Sequence, residues 1–247
     1  MRLEDIDLET RLGSSGTGQV WRATHRGVGG LLGLKVFHEY HPRFAEEIVQ
    51  VAALEHPGIL RPIAYGLVSA AVAARTDGAL KAGAPFAVME YARGGSLASW
   101  GGRLGWPVVR GILTSLLGAL AYAHGRGRAH GAVHAGNVLL RGRAPHTGVR
   151  LADFRLGPAE PAADLAGLAR LAEALAPDLR HTPMGFEEWS AGLTGGFAGV
   201  SEAELGLAGL PQRSRSSGHR MEERSRPSFA ASTWTDESSD PGSTDSG

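Results

Sequence analysis

Residues 128–140 read RAHGAVHAGNVLL. His130 is followed, after six intervening residues, by Asn137 and then by apolar Val138 and Leu139. The stretch reads as a loop between two packed elements. Before it, Pro107 suits the first turn of a helix. Val109, Ile112, Leu113, Leu116, Leu117 and Leu120 then recur as one wide apolar face over VVRGILTSLLGALAYAH, and Gly125 and Gly127 end it. After it, NVLLRGRAPHTGVRLADF reads as a hairpin that turns at PHTG and runs out at Asp153. PAADLAGLARLAEALA follows as a second buried helix with Leu165, Leu168, Leu171 and Leu175 on one face. FEEWSAGL and SEAELGLAGL are shorter helices.

Toward the N-terminus the pattern changes to strands. LETRLGSSGTGQVWRATH is two extended runs around a Gly/Ser/Thr turn. LLGLKVF is an apolar run with Lys35 inside it, and a half-buried lysine needs a carboxylate or a phosphate as partner. RFAEEIVQVAALEH is helical, with Phe44, Ile48, Val51 and Leu54 three and four apart, and its Glu47 can supply that carboxylate. ILRPIAYGLV and PFAVMEY read as strands, and the Ala-rich VSAAVAARTDGALKAGA between them reads as a loop or loose hairpin extension. Strands first and helices second predict a two-part α+β fold.

Composition narrows the function classes. Hydrophobic residues make up 43% and charged residues 20% of the 247, enough for a real core. Lys plus Arg and Asp plus Glu are 25 each, and this balance argues against nucleic acid as the partner. The absence of cysteine excludes disulfides, thiol catalysis and cysteine-based zinc or iron–sulfur sites. MRLEDIDLET is not a secretory signal, and no apolar run is read as approaching the ~18–20 residues of a membrane helix. A soluble cytoplasmic protein without membrane contact is expected. From residue 211 the composition shifts: the last 37 residues hold ten Ser and three Thr. They are expected to be a disordered tail, Arg-rich and then acidic.

Taken in order, these stretches resemble the protein kinase domain over about residues 8–175, and more faintly to about 210. LGSSGTGQV is similar to the glycine-rich loop, with Gly13, Gly16 and Gly18 followed by Val20, and Ser15 in place of the middle glycine. LGLK is similar to the third-strand stretch that ends in the phosphate-anchoring lysine, here Lys35, and Glu47 stands where the helix glutamate that pairs with it is expected. VMEYARGGSL is similar to the hinge, with Met89 as gatekeeper and Glu90 to Ala92 as adenine-contacting backbone. HGAVHAGNVLL falls on the catalytic loop and LADFR on the metal-binding stretch. Asp164 corresponds to the anchoring aspartate of the central helix. The resemblance implies a bilobal fold: an antiparallel β-rich N-lobe with one helix at about 8–92, and a reduced, mainly helical C-lobe at about 93–210. It implies ATP between Leu12, Val20, Gly33 and Leu139, and Mg²⁺ at Asn137 and Asp153.

The departures from that family fall on its chemistry. Ala132 replaces the aspartate that accepts the substrate proton, a loss that typically costs about 10²- to 10⁴-fold. His134 replaces the lysine that steadies the transferred phosphoryl group, and Gly131 replaces the arginine that receives a phosphorylated activation loop. Only eight residues, 156–163, separate Arg155 from Asp164, so the activation segment is nearly gone. Arg155 stands where the metal-binding stretch has glycine. It can pair with Asp153, bind phosphates directly, or face solvent. The resemblance is therefore to a pseudokinase that can bind ATP and acts through a protein partner, such as an active kinase or a phosphopeptide-binding protein. An active but atypical Ser/Thr kinase using Lys35, Asn137 and Asp153 is the alternative. A purely structural module, with Lys35–Glu47 kept as a fold-stabilising pair, is the second.

Two further signals are weaker. His130 and His134 form HGAVH, not the HExxH of zinc hydrolases, and sit on a loop beside His124 and His146. Thr233 and Thr235 beside Asp236 and Glu237, and the serines of RSRPS, are candidate phosphorylation sites in a tail otherwise read as passive.

Overall fold

The computed structural model describes residues 1–27, 29–101, 104–176 and 182–212. The predicted tail lies outside these residues apart from its first two.

Five strands form one antiparallel sheet in the order β1-β2-β3-β5-β4: β1 (Ile6–Ser15), β2 (Gly18–His25), β3 (Leu31–Phe37), β4 (Ala64–Leu67) and β5 (Pro85–Glu90). Side chains alternate across a strand, and β3 uses both faces. Leu32, Leu34 and Val36 point into an apolar cluster with Leu3, Ile6, Phe86 and Val88. Gly33 and Lys35 lie on the opposite face, paired in register with Met89 and Ala87. Helix α1 (Phe44–Ala52) packs Phe44 and Ile48 on Ala87, while its Val51 joins the core of the second half.

The segment between β4 and β5 differs from the expected loop. It contains helix α2 (Ala70–Arg75), capped by the Ser69 hydroxyl, which accepts the Val72 N–H at 3.3 Å. Val72 and Leu80 seal the outer face of the sheet. The Arg75 guanidinium donates to the carbonyls of Glu4 at 2.8 Å and Ile6 at 3.1 Å. In an alanine-rich run only three large apolar residues, Val68, Val72 and Leu80, carry this face, so periodicity left no trace of the helix.

The second half is built on α3 (Trp106–His124). Its Val109, Leu113, Leu116, Leu117 and Leu120 are fully buried, as the spacing predicts. Around it pack α4 (Pro161–Leu175), α5 (Phe186–Gly192), α6 (Val200–Gly209) and the predicted hairpin, β6 (Val138–Leu140) with β7 (Val149–Leu151). By length and composition α3 is apolar enough to cross a membrane, with 19 residues and a mean hydropathy of 1.3. That corrects the expectation that no run approached this length. Its burial in the core accounts for the composition.

The halves join through residues 91–96. Gly94 allows this turn-containing connection to lie on the hairpin: a side chain there would overlap the Gly142 carbonyl oxygen and come within 2.6 Å of Leu140 Cβ. The Leu140 N–H donates to the Gly95 carbonyl at 2.9 Å. On the other side, the Leu60 N–H donates to Leu151 O at 2.9 Å and the Leu151 N–H to Gly58 O at 2.7 Å.

Candidate functional site

A cleft of about 470 Å³ opens between the sheet and the loop at 130–137. Gly16 and Thr17 come from the β1–β2 turn, Lys35 from β3, and Gly131, Ala132, Asp153 and Arg155 from the second half. Lys35 is almost wholly buried. Its ammonium donates to the Asp153 carboxylate and, at 2.9 Å, to the Thr17 hydroxyl, and lies 4.8 Å from the Phe37 ring centroid. Asp153 adopts a left-handed backbone, φ +65, which aspartate tolerates better than most residues.

The expected Lys35–Glu47 pair is not formed. Glu47 is buried, but its nearest cation is the Arg128 guanidinium at 3.8 Å, and the facing oxygen makes no hydrogen bond. Two partners already satisfy Lys35, and Arg128 supplies the charge that Glu47 needs. Thr17 and Arg128 were not among the sequence candidates. Their only signal was a hydroxyl inside the glycine-rich turn and a cation two residues before His130.

The loop at 130–137 is held from below by one carboxylate. Asp164, in the first turn of α4, is fully buried. It accepts the backbone N–H of His130 at 2.7 Å and of Gly131 at 2.6 Å, and His124 Nε2 lies 2.8 Å away. Gly131 takes φ +77, a conformation that favours glycine. Gly167, one turn along α4, lets the helix touch the loop, because a Cβ there would meet the Val133 carbonyl oxygen at 2.6 Å.

His130 is fully buried against Phe154. Its Nε2 donates to the Ala152 carbonyl at 2.8 Å and its Nδ1 accepts the Ala132 N–H at 3.1 Å, which is the neutral imidazole. Burial pushes its pKa below the ordinary value, opposed by the Ala152 carbonyl and the charges of Asp164 and Asp153. A depressed histidine contributes stability that is complete above its unfolded pKa of about 6.5 and is lost as pH falls below that value. Wild type should therefore lose up to about 1.4 kcal/mol per pH unit more than His130→Gln on acidification below pH 6.5. Urea unfolding at pH 7, 6 and 5 measures this, and parallel curves for the two proteins would refute it.

Ala132 lines the cleft with a methyl group, and its carbonyl accepts the Asn137 amide N–H at 2.9 Å. His134 is exposed and lies outside the cleft lining. Its Nδ1 accepts the Gly136 N–H at 3.2 Å, so the lone pair a base would use is taken. Leu12, Gly13, Gly18, Val20, Gly33, Glu47, Met89, Glu90, Ala92, Asn137 and Leu139 also fall outside this lining. Leu12 is largely exposed. Met89 lies against Gly33, its Cγ 3.2 Å from where a Cβ would be. The Glu90 carboxylate pairs with Arg150 at 2.6 Å. The structure thus brings Gly16, Lys35 and Asp153 of the expected site together in one cleft, while Leu12, Val20, Gly33 and Leu139 are not among the residues that line it.

No protein-family model matches the chain. The DNA damage-responsive serine/threonine-protein kinase RqkA of Deinococcus radiodurans is 32% identical over 163 residues, 61% of this chain and 22% of its own length. Serine/threonine-protein kinase PknA of Mycobacterium tuberculosis is 30% identical over 166 residues, 63% of this chain and 36% of its own length. The chain therefore spans well under half of either relative. The crystal structure of the Mycobacterium tuberculosis PknI kinase domain superposes with a TM-score of 0.60 at 24% identity, covering 83% of this chain and 95% of that domain. The chain carries a protein-kinase-like domain.

In this kinase-like domain the central-helix aspartate, Asp164, anchors the loop as the resemblance implied. Helix α4 starts at Pro161, so residues 156–160 alone connect Arg155 to it. Arg155 is exposed, and Asp153 pairs with Lys35 rather than with Arg155. Among the described residues no three His, Asp or Glu side chains come together as a metal site. The donor set for Mg²⁺ is the Asp153 carboxylate, one oxygen of which is held by Lys35, and the side-chain oxygen of Asn137, whose NH₂ donates to Ala132. With Lys35 held on that carboxylate, the set suits the ion poorly.

Proposed function

We propose that this domain is a pseudokinase. It holds a nucleotide by its phosphates in the cleft and acts on a protein partner by binding, without transferring the phosphoryl group. The observation that carries this reading is Ala132. At the point where a kinase places its proton acceptor the cleft wall is a methyl group, and the His134 imidazole on the same loop has its lone pair engaged. The five-residue connection to α4 supports it, since it leaves no stretch there on which a peptide substrate could lie. Lys35 and Asp153 support retention of phosphate binding. A second reading, an atypical Ser/Thr kinase, is favoured by the same two residues and by the named kinases among the relatives.

A phosphate-transfer assay with radiolabelled ATP separates the readings. We expect no transfer above background to generic substrates or to the chain itself. Transfer that disappears in Lys35→Ala or Asp153→Ala would establish the kinase reading instead. In parallel, a nucleotide at 100 times its dissociation constant should raise the unfolding free energy by about 2.7 kcal/mol.

A further inference from the structure

Gly131 and Arg155 depart from the kinase pattern separately in the sequence, yet in the fold they are in contact. A Cβ at Gly131 would lie 3.1 Å from Arg155 Cβ, 3.3 Å from Arg155 Cδ and 2.8 Å from Ala159 Cβ. The aliphatic stem of Arg155 thus rests on the bare backbone of Gly131. The Arg155 main chain is fixed as well: its N–H donates to the His130 carbonyl at 2.9 Å, and its carbonyl accepts from the Arg128 guanidinium at 2.6 Å. The Arg155 guanidinium itself has no ion pair or hydrogen bond among the described residues, and Arg155 lines the same cleft as Lys35, Thr17 and Gly16.

We propose that the phosphate end of this cleft takes a polyphosphate as the free anion, without a divalent ion, and that the Arg155 guanidinium supplies the charge a metal would bring. This rests on the nucleotide-binding part of the reading above. The cleft wall carries Lys35 and Arg155 as fixed cations, with His38 and His41, against the carboxylates of Asp153 and Glu39. Asp153 is paired through one oxygen with Lys35. Glu39 stands on the exposed connection between β3 and α1. A metal–phosphate chelate would have to share the Asp153 carboxylate with Lys35. A bare phosphate instead meets a guanidinium with its donors uncommitted, the geometry that phosphate oxygens accept in pairs. Gly131 is the positioning residue, because any side chain there would push the stem of Arg155 away.

The test is isothermal titration of the full chain with ATP and with inorganic tripolyphosphate, each in excess EDTA and in excess Mg²⁺. Wild type should bind both ligands in EDTA at least as tightly as in Mg²⁺. Arg155→Gly should weaken the EDTA binding about 10- to 100-fold, and Arg155→Lys should recover part of it. Because Arg155 is exposed, both variants should fold, which circular dichroism checks. ATP binding that requires Mg²⁺ would overturn the proposal and leave the nucleotide reading standing. EDTA binding indifferent to Arg155→Gly would overturn it in the same way. Failure of both ligands in both conditions would overturn the proposal and the nucleotide reading together. Arg155-dependent binding of tripolyphosphate with no binding of ATP would uphold the proposal and remove the nucleotide reading.

Discussion

Replacing Asp164 with alanine should lower the unfolding free energy by about 3–5 kcal/mol, the cost of breaking a buried charged network by removing one member. The carboxylate is fully buried and meets two backbone N–H groups and His124. Alanine leaves the buried amide of His130 and the partly buried amide of Gly131 without an acceptor, and an unsatisfied buried donor costs about 1–3 kcal/mol. Asp164→Asn keeps the volume but turns an NH₂ toward one of the donors, so it should recover only part of the loss. Urea unfolding gives the magnitude. Hydrogen exchange at the His130 and Gly131 amides gives the location, and protection there should fall first. A loss below about 1 kcal/mol would mean that the loop is held by something other than this carboxylate.

Gly94→Val should cost about 3 kcal/mol, at the upper end of what overpacking does, because the obstacle is backbone rather than a side chain that can turn away. The new Cβ would overlap the Gly142 carbonyl oxygen and press on Leu140 Cβ. Relief requires the connection at 91–96 to lift off the hairpin, breaking the Leu140–Gly95 hydrogen bond and the Ser96–Leu139 bridge. These contacts set the floor between the halves, so the variant should also weaken ligand binding in the cleft. Gly95→Ala is a useful comparison: nothing lies within 4 Å of its added Cβ, so its cost comes from backbone strain at φ +70 and should be smaller. Thermal unfolding of the three proteins orders them, and equal midpoints for Gly94→Val and wild type would remove the close approach from the account.

Local periodicity and glycine placement carried most of the fold. The faces of α1, α3 and α4 were legible because leucines and valines recur at helical spacing and pack where that spacing points. Helix α2 was illegible because alanine fits a loop composition as readily as a helix, and what orders it is a serine cap, the Arg75 hydrogen bonds and three widely spaced apolar residues. In the site, residue identities were more legible than their partnerships. Lys35, Glu47 and Asp153 could each be singled out, but whether Lys35 meets Glu47 or Asp153 depends on where α1 settles and on Arg128, and no local pattern encodes that. The contact between Gly131 and Arg155 was hidden for a related reason. It needs a left-handed backbone at one position and a particular chain path at the other, and each looked like an isolated loss.

The short passage from Arg155 to α4 has a consequence for control. Residues 156–163 read LGPAEPAA and contain no serine, threonine or tyrosine. A second kinase has no hydroxyl there to modify, and a link of this length has no slack to fold into one arrangement and then another. Whatever sets the state of this cleft must act from outside that link: through a ligand, a partner, or a group elsewhere in the chain.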